Sequence, residues 1–156
     1  MREITAPNIW TFQRNDSHIV IPTNGFVKSN GRAVMGRGLA AQCANYYPDM
    51  PKRLGEHIEG NGNHVGEFWT IRQYNSPEHF IFTFPVKHKW WEDADLELIE
   101  RSAKELAEMT EGKIYRVYLP LVGCGNGRLK WEDVKPILQK YLLGHRYLVV
   151  HQGEKK

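Results

Sequence analysis

The sequence predicts an α/β protein, a three-layer α/β/α sandwich with a mixed central sheet of about six strands. Apolar runs typical of strands alternate along the chain with runs of helical spacing, and the connections between them are short. Two glycine-rich loops each stand at the start of a predicted helix. Loops of this kind bind phosphate groups in α/β proteins, because the first N–H groups of a helix are unpaired and carry partial positive charge.

Composition indicates a single domain at residues 1–152, followed by a polar tail at residues 153–156. The formal net charge of +3 is compatible with a diphosphate pocket or a nucleic-acid partner, and it excludes neither. No apolar run approaches the length of a transmembrane helix, about 20 residues, and the first residues lack the apolar segment of a signal peptide. We therefore expect a cytoplasmic protein that binds no membrane. Cys43 and Cys124 are expected to be free thiols, and the histidines show no metal-binding spacing.

The first third of the chain predicts two strands, a loop and a helix. Residues 8–12 and 18–22 have strand character, and the second run is apolar enough for a buried position. Residues 23–32 are rich in turn formers and predict a loop. The run MGRGLAAQCANYYP then predicts a helix that starts at a glycine-rich loop and ends before Pro48.

The middle of the chain predicts a second helix and two strands. Residues 50–59 have helical spacing, and Gly60 is the predicted closing residue. Residues 65–74 and 80–84 have strand patterns on either side of a turn at residues 75–78.

The last part of the chain predicts two helices and two strands. Apolar side chains recur every three or four residues over 93–109, which predicts an amphipathic helix. Residues 114–120 predict a strand, residues 131–143 a helix, and residues 146–151 the strand that closes the sheet. The sequence VKHKWW, which contains Lys87, follows a predicted strand end, and ligands of open α/β sheets bind outside such ends.

The second glycine-rich loop, VGCGNGRLKW at residues 122–131, connects the predicted strand at 114–120 to the helix that follows. Glycine lets the backbone approach a ligand closely, and free N–H groups attract an anion. If the two loops face each other, they can bind the two phosphates of a dinucleotide-like ligand from opposite sides.

A Rossmann site is the competing interpretation of the first loop. Gly36, Gly38 and Ala41 satisfy the GxGxxG/A pattern, and Glu56 follows about twenty residues later. That pattern should follow the first strand directly, whereas about a dozen loop residues intervene here after Pro22, so the context argues against it. No GK[ST] follows either loop, which excludes a P-loop.

Three motifs in order carry a resemblance to a known family. NGRAVMGRGLAAQ with its proline-ended helix, FPVKHKWW with its amphipathic helix, and LPLVGCGNGRLKW with its closing helix resemble macrodomains over roughly residues 19–143. The resemblance is closest to the branch that contains the DarG-type DNA ADP-ribosylglycohydrolase antitoxins and the terminal ADP-ribose protein glycohydrolases. It implies a cleft for ADP-ribose at the carboxyl edge of the sheet, without a cofactor or a metal.

The resemblance assigns ligand binding to the two glycine-rich loops and to asparagines near the distal ribose. The implied binding residues are Asn24, Asn30, Met35, Gly36, Arg37, Gly38, Leu39, Gly123, Cys124, Gly125, Asn126 and Gly127. Asn24 is the weaker candidate of the two asparagines, and Asn30 by itself is typical of a turn.

Lys87 is the candidate catalytic residue, because it matches the lysine of the FPTK-type motif that the antitoxin branch uses. Trp90 and Trp91 could partly desolvate its amine and lower its pKa, which would make it a usable nucleophile or base. We expect it to act at the anomeric carbon of the distal ribose, by direct attack or by stabilising the opened sugar as a Schiff base.

The sequence departs from the family pattern at three places. The protein glycohydrolases have an aspartate where this chain has Gly127, whereas the antitoxin branch has glycine, which favours nucleic acid or a small molecule as substrate. Val86 replaces the usual threonine before the lysine. The Gly-Asp pair whose aspartate contacts adenine is missing, and Asp16 is the nearest substitute.

The expected function is hydrolysis of an ADP-ribosyl linkage to a nucleobase in DNA or to a protein. The alternatives are a phosphatase acting on ADP-ribose-1''-phosphate and a non-catalytic binder of ADP-ribose or NAD-derived metabolites. A cysteine hydrolase with Cys124 and His88 is a further alternative, although packing between glycines explains Cys124 better. The expected partners are ADP-ribose or an ADP-ribosylated substrate, single-stranded DNA and a transferase toxin. Trp90, Trp91 and Trp131 are candidates for stacking on bases of the DNA, and core or rim packing explains each of them equally well. The chain is expected to be monomeric.

Overall fold

A six-stranded sheet lies at the centre of the computed structural model, which describes residues 1–13, 17–70 and 79–153. In chain order the strands are β1 (Arg2–Ala6), β2 (Ser17–Asn24), β3 (Gly66–Thr70), β4 (His79–Lys87), β5 (Arg116–Leu119) and β6 (Tyr147–Gln152). They lie side by side in the order β1-β6-β5-β2-β4-β3. All neighbours are parallel except β3 and β4, which are antiparallel. The predicted mixed sheet is therefore confirmed.

Helices cover both faces of this sheet. They are a short 3₁₀ helix (Ile9–Phe12), α1 (Gly38–Tyr46), α2 (Met50–Asn61), α3 (Leu96–Met109) and α4 (Trp131–Tyr141). None of the helices within the described ranges is long and apolar enough to cross a lipid bilayer.

Two hydrophobic cores separate the three layers. Successive side chains of a strand point to opposite faces of the sheet, so Ile19 and Ile21 of β2 pack in the core with α1 and α2, whereas Val20 packs in the core with α3 and α4. The predicted amphipathic helix covers the second face with Ile99 and Leu106, both fully buried. The predicted α/β/α sandwich is confirmed.

Several predicted boundaries differ from the structure. Residues 8–12 form the 3₁₀ helix and not a strand, because the Asn8 side chain accepts the N–H of Trp10 at 2.9 Å and caps a helical turn. One of the two edge strands is β1, which was not predicted from the sequence. Helix α2 closes at Gly62, which has φ 88°, and not at Gly60. The predicted strand residues 71–74 and the turn at 75–78 lie outside the described residues, as does Asp16.

Parallel pairing brings the carboxyl ends of β6, β5, β2 and β4 to one edge of the sheet. Strand β4 extends to Lys87, so this lysine ends the strand instead of following it. The register between β2 and β4 shifts between Thr23, which pairs with Pro85, and Asn24, which pairs with Lys87. This irregularity bends β2 and β4 where the two strands leave the sheet.

Helix α2 fixes the loop that follows β2. The Ala33 N–H donates to the Pro51 carbonyl at 2.8 Å. A Cβ atom on Gly55 would lie 2.0 Å from the Gly31 carbonyl oxygen, so only glycine allows the helix to approach the loop this closely.

Alanine substitutions at two glycines of α2 should change stability in opposite directions. Gly55→Ala is expected to lower the free energy of unfolding by about 1–3 kcal/mol, because its methyl group would overlap the Gly31 carbonyl. Gly60→Ala is expected to raise it by up to about 1 kcal/mol, because a Cβ there meets no atom within 4 Å and alanine favours the helix. Urea unfolding followed by circular dichroism measures both. A stabilised Gly55→Ala variant would contradict the packing.

Candidate active site

A cleft of about 1190 Å³ opens at the carboxyl edge of the sheet, a volume sufficient for a nucleotide-sized ligand. Its lining residues lie between residues 22 and 40, between 86 and 93, and between 120 and 128, together with Val150 and Gln152 of β6. The cleft therefore runs across the ends of four neighbouring strands, from β6 over β5 and β2 to β4.

The first glycine-rich loop delivers the start of α1 to the cleft. Gly38, the first residue of the helix, has φ 61°, a left-handed conformation that favours glycine. Arg37 precedes it in an extended conformation, and no described side chain caps the helix. The first N–H bonded within the helix is that of Ala41, which donates to the Arg37 carbonyl at 3.4 Å. The N–H groups before it are available to an anion, and the helix dipole adds positive potential there.

The second glycine-rich loop folds back on its own backbone. The Leu129 N–H donates to the Gly123 carbonyl at 2.9 Å, and the Ala94 N–H donates to the Gly127 carbonyl at 3.0 Å. A Cβ atom on Gly127 would lie 2.5 Å from the Gly123 carbonyl oxygen, so this position excludes every side chain in the present loop conformation. Gly125 differs, because a Cβ there would meet no atom within 4 Å.

The two loops face each other across the cleft. The Asn126 side-chain nitrogen lies 3.4 Å from the position that a Cβ atom on Gly38 would take. Both loops line the same cleft, so backbone N–H groups of both can contact one diphosphate there.

Lys87 connects the end of β4 to the second loop. Its Nζ donates to the Asn126 carbonyl at 3.2 Å and to the Trp90 carbonyl at 3.4 Å. Partial burial is the largest cause that lowers the pKa of Lys87 below its usual value. The side chain is thus held at the cleft by two neutral acceptors, and no carboxylate within the described residues bonds to it directly.

Three charged side chains modify the pKa of Lys87 further. Asp93 raises it, whereas Arg128 and Arg37 lower it. Asp93 also pairs with Arg128, with 3.8 Å between Oδ1 and Nε. The net effect of burial and these charges is a lowered pKa, which increases the fraction of neutral amine at a given pH.

The backbone around Lys87 is fixed by the end of α2. The Asn63 side chain donates from Nδ2 to the Lys87 carbonyl at 3.0 Å, and the Gly25 N–H donates to the His88 carbonyl at 3.1 Å. A Cβ on Gly25 would lie 2.7 Å from the Asn63 side chain. Asn63 therefore packs between the first loop and the end of β4 and positions both.

All of the predicted site residues except Asn30 line this one cleft. The Asn30 side chain is exposed and accepts the Arg32 N–H at 3.0 Å, so it closes its own turn. Asn24 lines the cleft, but its amide already donates to the Val34 carbonyl at 3.0 Å and accepts the Phe26 N–H at 2.9 Å. The ligand-binding roles stay predictions, and that of Asn30 has no support from its position.

The environment of the Cys124 thiol indicates a packing role and not a catalytic one. Its Sγ–H donates to the Val122 carbonyl at 3.5 Å, and burial raises its pKa. A reactive cysteine requires a lowered pKa. His88, the partner in the cysteine-hydrolase alternative, has its Nε2 3.0 Å from an Asp95 carboxylate oxygen. The structure therefore favours the packing interpretation.

Several residues of this cleft were not predicted from the sequence. Phe26 and Lys28 line it from the long loop after β2, and Val150 and Gln152 line it from β6. The position of the last two at the carboxyl end of the final strand is a signal that could have identified them. Asn63 acts through tertiary contacts and has no comparable signal.

Among the described residues, no group of three or more His, Cys, Asp or Glu could hold a metal ion.

Comparison with known proteins identifies the family. The Macro domain family model matches residues 28–138. The chain belongs to the Macro domain family. This macrodomain is 30% identical over 115 residues to a DNA ADP-ribosyl glycohydrolase of Thermus aquaticus, a match that covers 72% of this chain and 32% of that relative. It therefore spans about a third of the relative's length.

Solved structures agree with this assignment. The macrodomain of Thermus aquaticus DarG matches with a TM-score of 0.75 and 27% identity over 97% of both chains. Thermosipho africanus DarTG in complex with ADP-ribose matches with a TM-score of 0.74 over 96% of this chain and 41% of that chain. Its 19% identity supports a shared fold only. The predicted macrodomain fold is confirmed.

The effect of the Asp93 carboxylate on the pKa of Lys87 can be measured by titration. Asp93→Asn is expected to lower the pKa of Lys87 in this macrodomain further, because it removes the charge that stabilises the ammonium form. Nuclear magnetic resonance of ¹³C-dimethylated lysines measures this pKa, with Lys87→Arg to assign the signal. Asp133→Asn on α4, outside the cleft, serves as the matched control. A pKa that rises or stays constant in Asp93→Asn would contradict the assignment.

Proposed function

We propose that this macrodomain binds ADP-ribose and removes it from a modified nucleobase in DNA, with Lys87 as the catalytic residue. The observation that carries the proposal is the Lys87 amine at the end of the cleft, held by the Asn126 and Trp90 carbonyls with a lowered pKa. The Thermus aquaticus relative is named a DNA ADP-ribosyl glycohydrolase, which supports the same activity. A transferase that attaches the ADP-ribose is the implied partner, and an antitoxin-like role in the cytoplasm is part of the proposal.

The two glycine-rich loops bind the diphosphate. The free N–H groups at the start of α1 contact it from one side, and the backbone of residues 123–127 contacts it from the other. Arg37 and Arg128 line the cleft and add positive charge without entering a buried ion pair. Binding energy from the diphosphate then fixes the distal ribose next to Lys87.

The neutral amine of Lys87 supplies the electron pair for the reaction. Its Nζ attacks the anomeric carbon of the distal ribose, a C–N bond forms, and the bond from that carbon to the nucleobase breaks. The nucleobase leaves with the bonding electrons and takes a proton from the new ammonium group. Water then adds to the anomeric carbon and gives up one proton to Nζ, the C–N bond breaks, and the neutral lysine amine is released together with ADP-ribose. In the alternative route the sugar ring opens, and the same Lys87 amine forms a Schiff base with the anomeric carbon.

Gly127 favours a nucleobase over a protein as the substrate. The resemblance associates protein glycohydrolases with an aspartate at this position, and the backbone here leaves no room for a side chain. The two-residue mechanism of those enzymes lacks its aspartate here, and we assign Lys87 as the nucleophile because its amine lies in the cleft with a lowered pKa.

ADP-ribose binding is the first prediction of this proposal. Isothermal titration is expected to show binding of ADP-ribose but not of AMP, and Gly125→Glu is expected to abolish it, because the new carboxylate enters open space in the diphosphate site. Gly60→Glu, at an exposed helical glycine outside the cleft, is the matched control. Unchanged binding in Gly125→Glu would place the ligand elsewhere.

Turnover is the second prediction. Lys87→Ala and Lys87→Arg are both expected to lower the rate of ADP-ribose release from ADP-ribosylated DNA by about a hundredfold or more, because neither provides a neutral amine. Chromatography of released ADP-ribose measures the rate. Release of inorganic phosphate from ADP-ribose-1''-phosphate would support the phosphatase instead. Binding without turnover of any substrate would support a non-catalytic binder.

A further inference from the structure

An exposed aromatic cluster borders the cleft beside Lys87. We call it the aromatic rim, and it consists of Phe26, Trp90 and Trp91, all of which line the cleft. Trp90 and Trp91 are 51% and 55% exposed. The Trp91 ring lies 5.2 Å from that of Trp90 and 5.5 Å from that of Phe26, both in edge-to-face geometry. Exposed, mutually supported rings next to a cleft are typical of a binding surface.

Sheet order determines which part of the substrate meets the aromatic rim. Neighbouring strands are about 4.8 Å apart, so the cleft extends about 14 Å from the end of β6 to the end of β4. Lys87 ends β4, and the two loops that surround the diphosphate follow β2 and β5. With the anomeric carbon at Lys87, the ADP portion extends over β2 and β5 towards β6. The leaving group therefore lies on the opposite side, next to the aromatic rim.

The charges around the aromatic rim suit a polyanion. The Lys89 ammonium lies 5.5 Å from the centre of the Trp91 ring, and exposed Lys28 lines the same side of the cleft. Neither lysine makes an ion pair with another residue in the described ranges.

The acidic side chains nearby already have partners. Glu92 accepts the Lys89 N–H at 3.2 Å, Asp93 pairs with Arg128, and Asp95 accepts from His88 at 3.0 Å and caps α3. The cations on this side of the cleft therefore remain available to phosphates.

We propose that the aromatic rim stacks on a nucleotide that flanks the ADP-ribosylated base in single-stranded DNA, while Lys28 and Lys89 contact the adjoining phosphates. This inference rests on the proposed function and extends it to the part of the substrate beyond the modified base. Stacking requires bases whose faces are free, and every base offers such a face, so a single strand fits this surface without sequence specificity. A duplex would keep its bases stacked on one another.

The test compares two substrates in one set of variants. Release of ADP-ribose is measured from an ADP-ribosylated single-stranded oligonucleotide and from the corresponding ADP-ribosylated nucleoside. In Trp91→Ala, kcat/KM for the oligonucleotide is expected to fall about tenfold more than kcat/KM for the nucleoside, because only the oligonucleotide has a flanking base. Trp91→Phe keeps a stacking ring and is therefore expected to retain most of the wild-type kcat/KM for the oligonucleotide. Trp91 is chosen because Lys87 bonds to Trp90 and not to Trp91.

Trp69→Ala is the matched control. Trp69 is 50% exposed, yet it lies on β3 and pairs with Phe80, about 23 Å along β4 from Lys87. It stacks on the Phe80 ring at 4.2 Å and does not line the cleft. Both substrates should be turned over by this variant as by the wild type.

A binding measurement separates failure of this inference from failure of the proposed function. Unmodified oligothymidylate is titrated into the ADP-ribose-saturated protein, and tryptophan fluorescence and anisotropy of a labelled strand are followed at two salt concentrations. We expect quenching that is lost in Trp91→Ala and affinity that falls with salt. Binding without turnover of any substrate would overturn the proposed function alone. Equal losses on both substrates, or weaker ADP-ribose binding in Trp91→Ala, would overturn the inference and assign the aromatic rim to the ADP-ribose itself.

Discussion

The close contact between the backbones of Gly123 and Gly127 is the constraint on which the site depends. It folds the second glycine-rich loop back on itself, and the hydrogen bonds from Ala94 and Leu129 hold it there. The loop conformation in turn presents the Asn126 carbonyl to Lys87. A side chain at position 127 would have to move this backbone, so Gly127 both sets the shape of the loop and excludes a carboxylate from this position.

The opposite wall of the cleft is fixed by a different kind of contact. Asn63 stands at the end of α2, packs against Gly25 and holds the carbonyl of Lys87, while Gly55 allows α2 to press on the loop around Gly31. Helix α2 thus joins the first loop and the end of β4 into one unit. Hydrogen bonds and close glycine contacts hold the backbone of both walls, so the donor groups of the cleft are positioned before the ligand arrives.

Most of the fold could be predicted because the spacing of apolar residues and the glycines between elements are local signals in the sequence. Strand β1 could not, since Arg2–Ala6 is short, mostly polar and stabilised by pairing with β6, almost the whole chain away. The residues of both glycine-rich loops and Lys87 were placed in one cleft by motif order. Asn30 shows the limit of such reasoning, because its side chain satisfies its own turn. Asn63 enters the site through tertiary packing, which no local pattern encodes.

The arginines beside Lys87 link protonation of the amine to occupancy of the cleft. Burial lowers the pKa of Lys87 first, and Arg128 and Arg37 lower it further. An anion that neutralises these guanidinium groups raises the pKa again, and by thermodynamic reciprocity a protonated Lys87 binds that anion more tightly. Anion binding at these guanidinium groups is therefore coupled to proton uptake at Lys87. The charge state of the amine and the affinity of the cleft for an anion are two aspects of a single equilibrium.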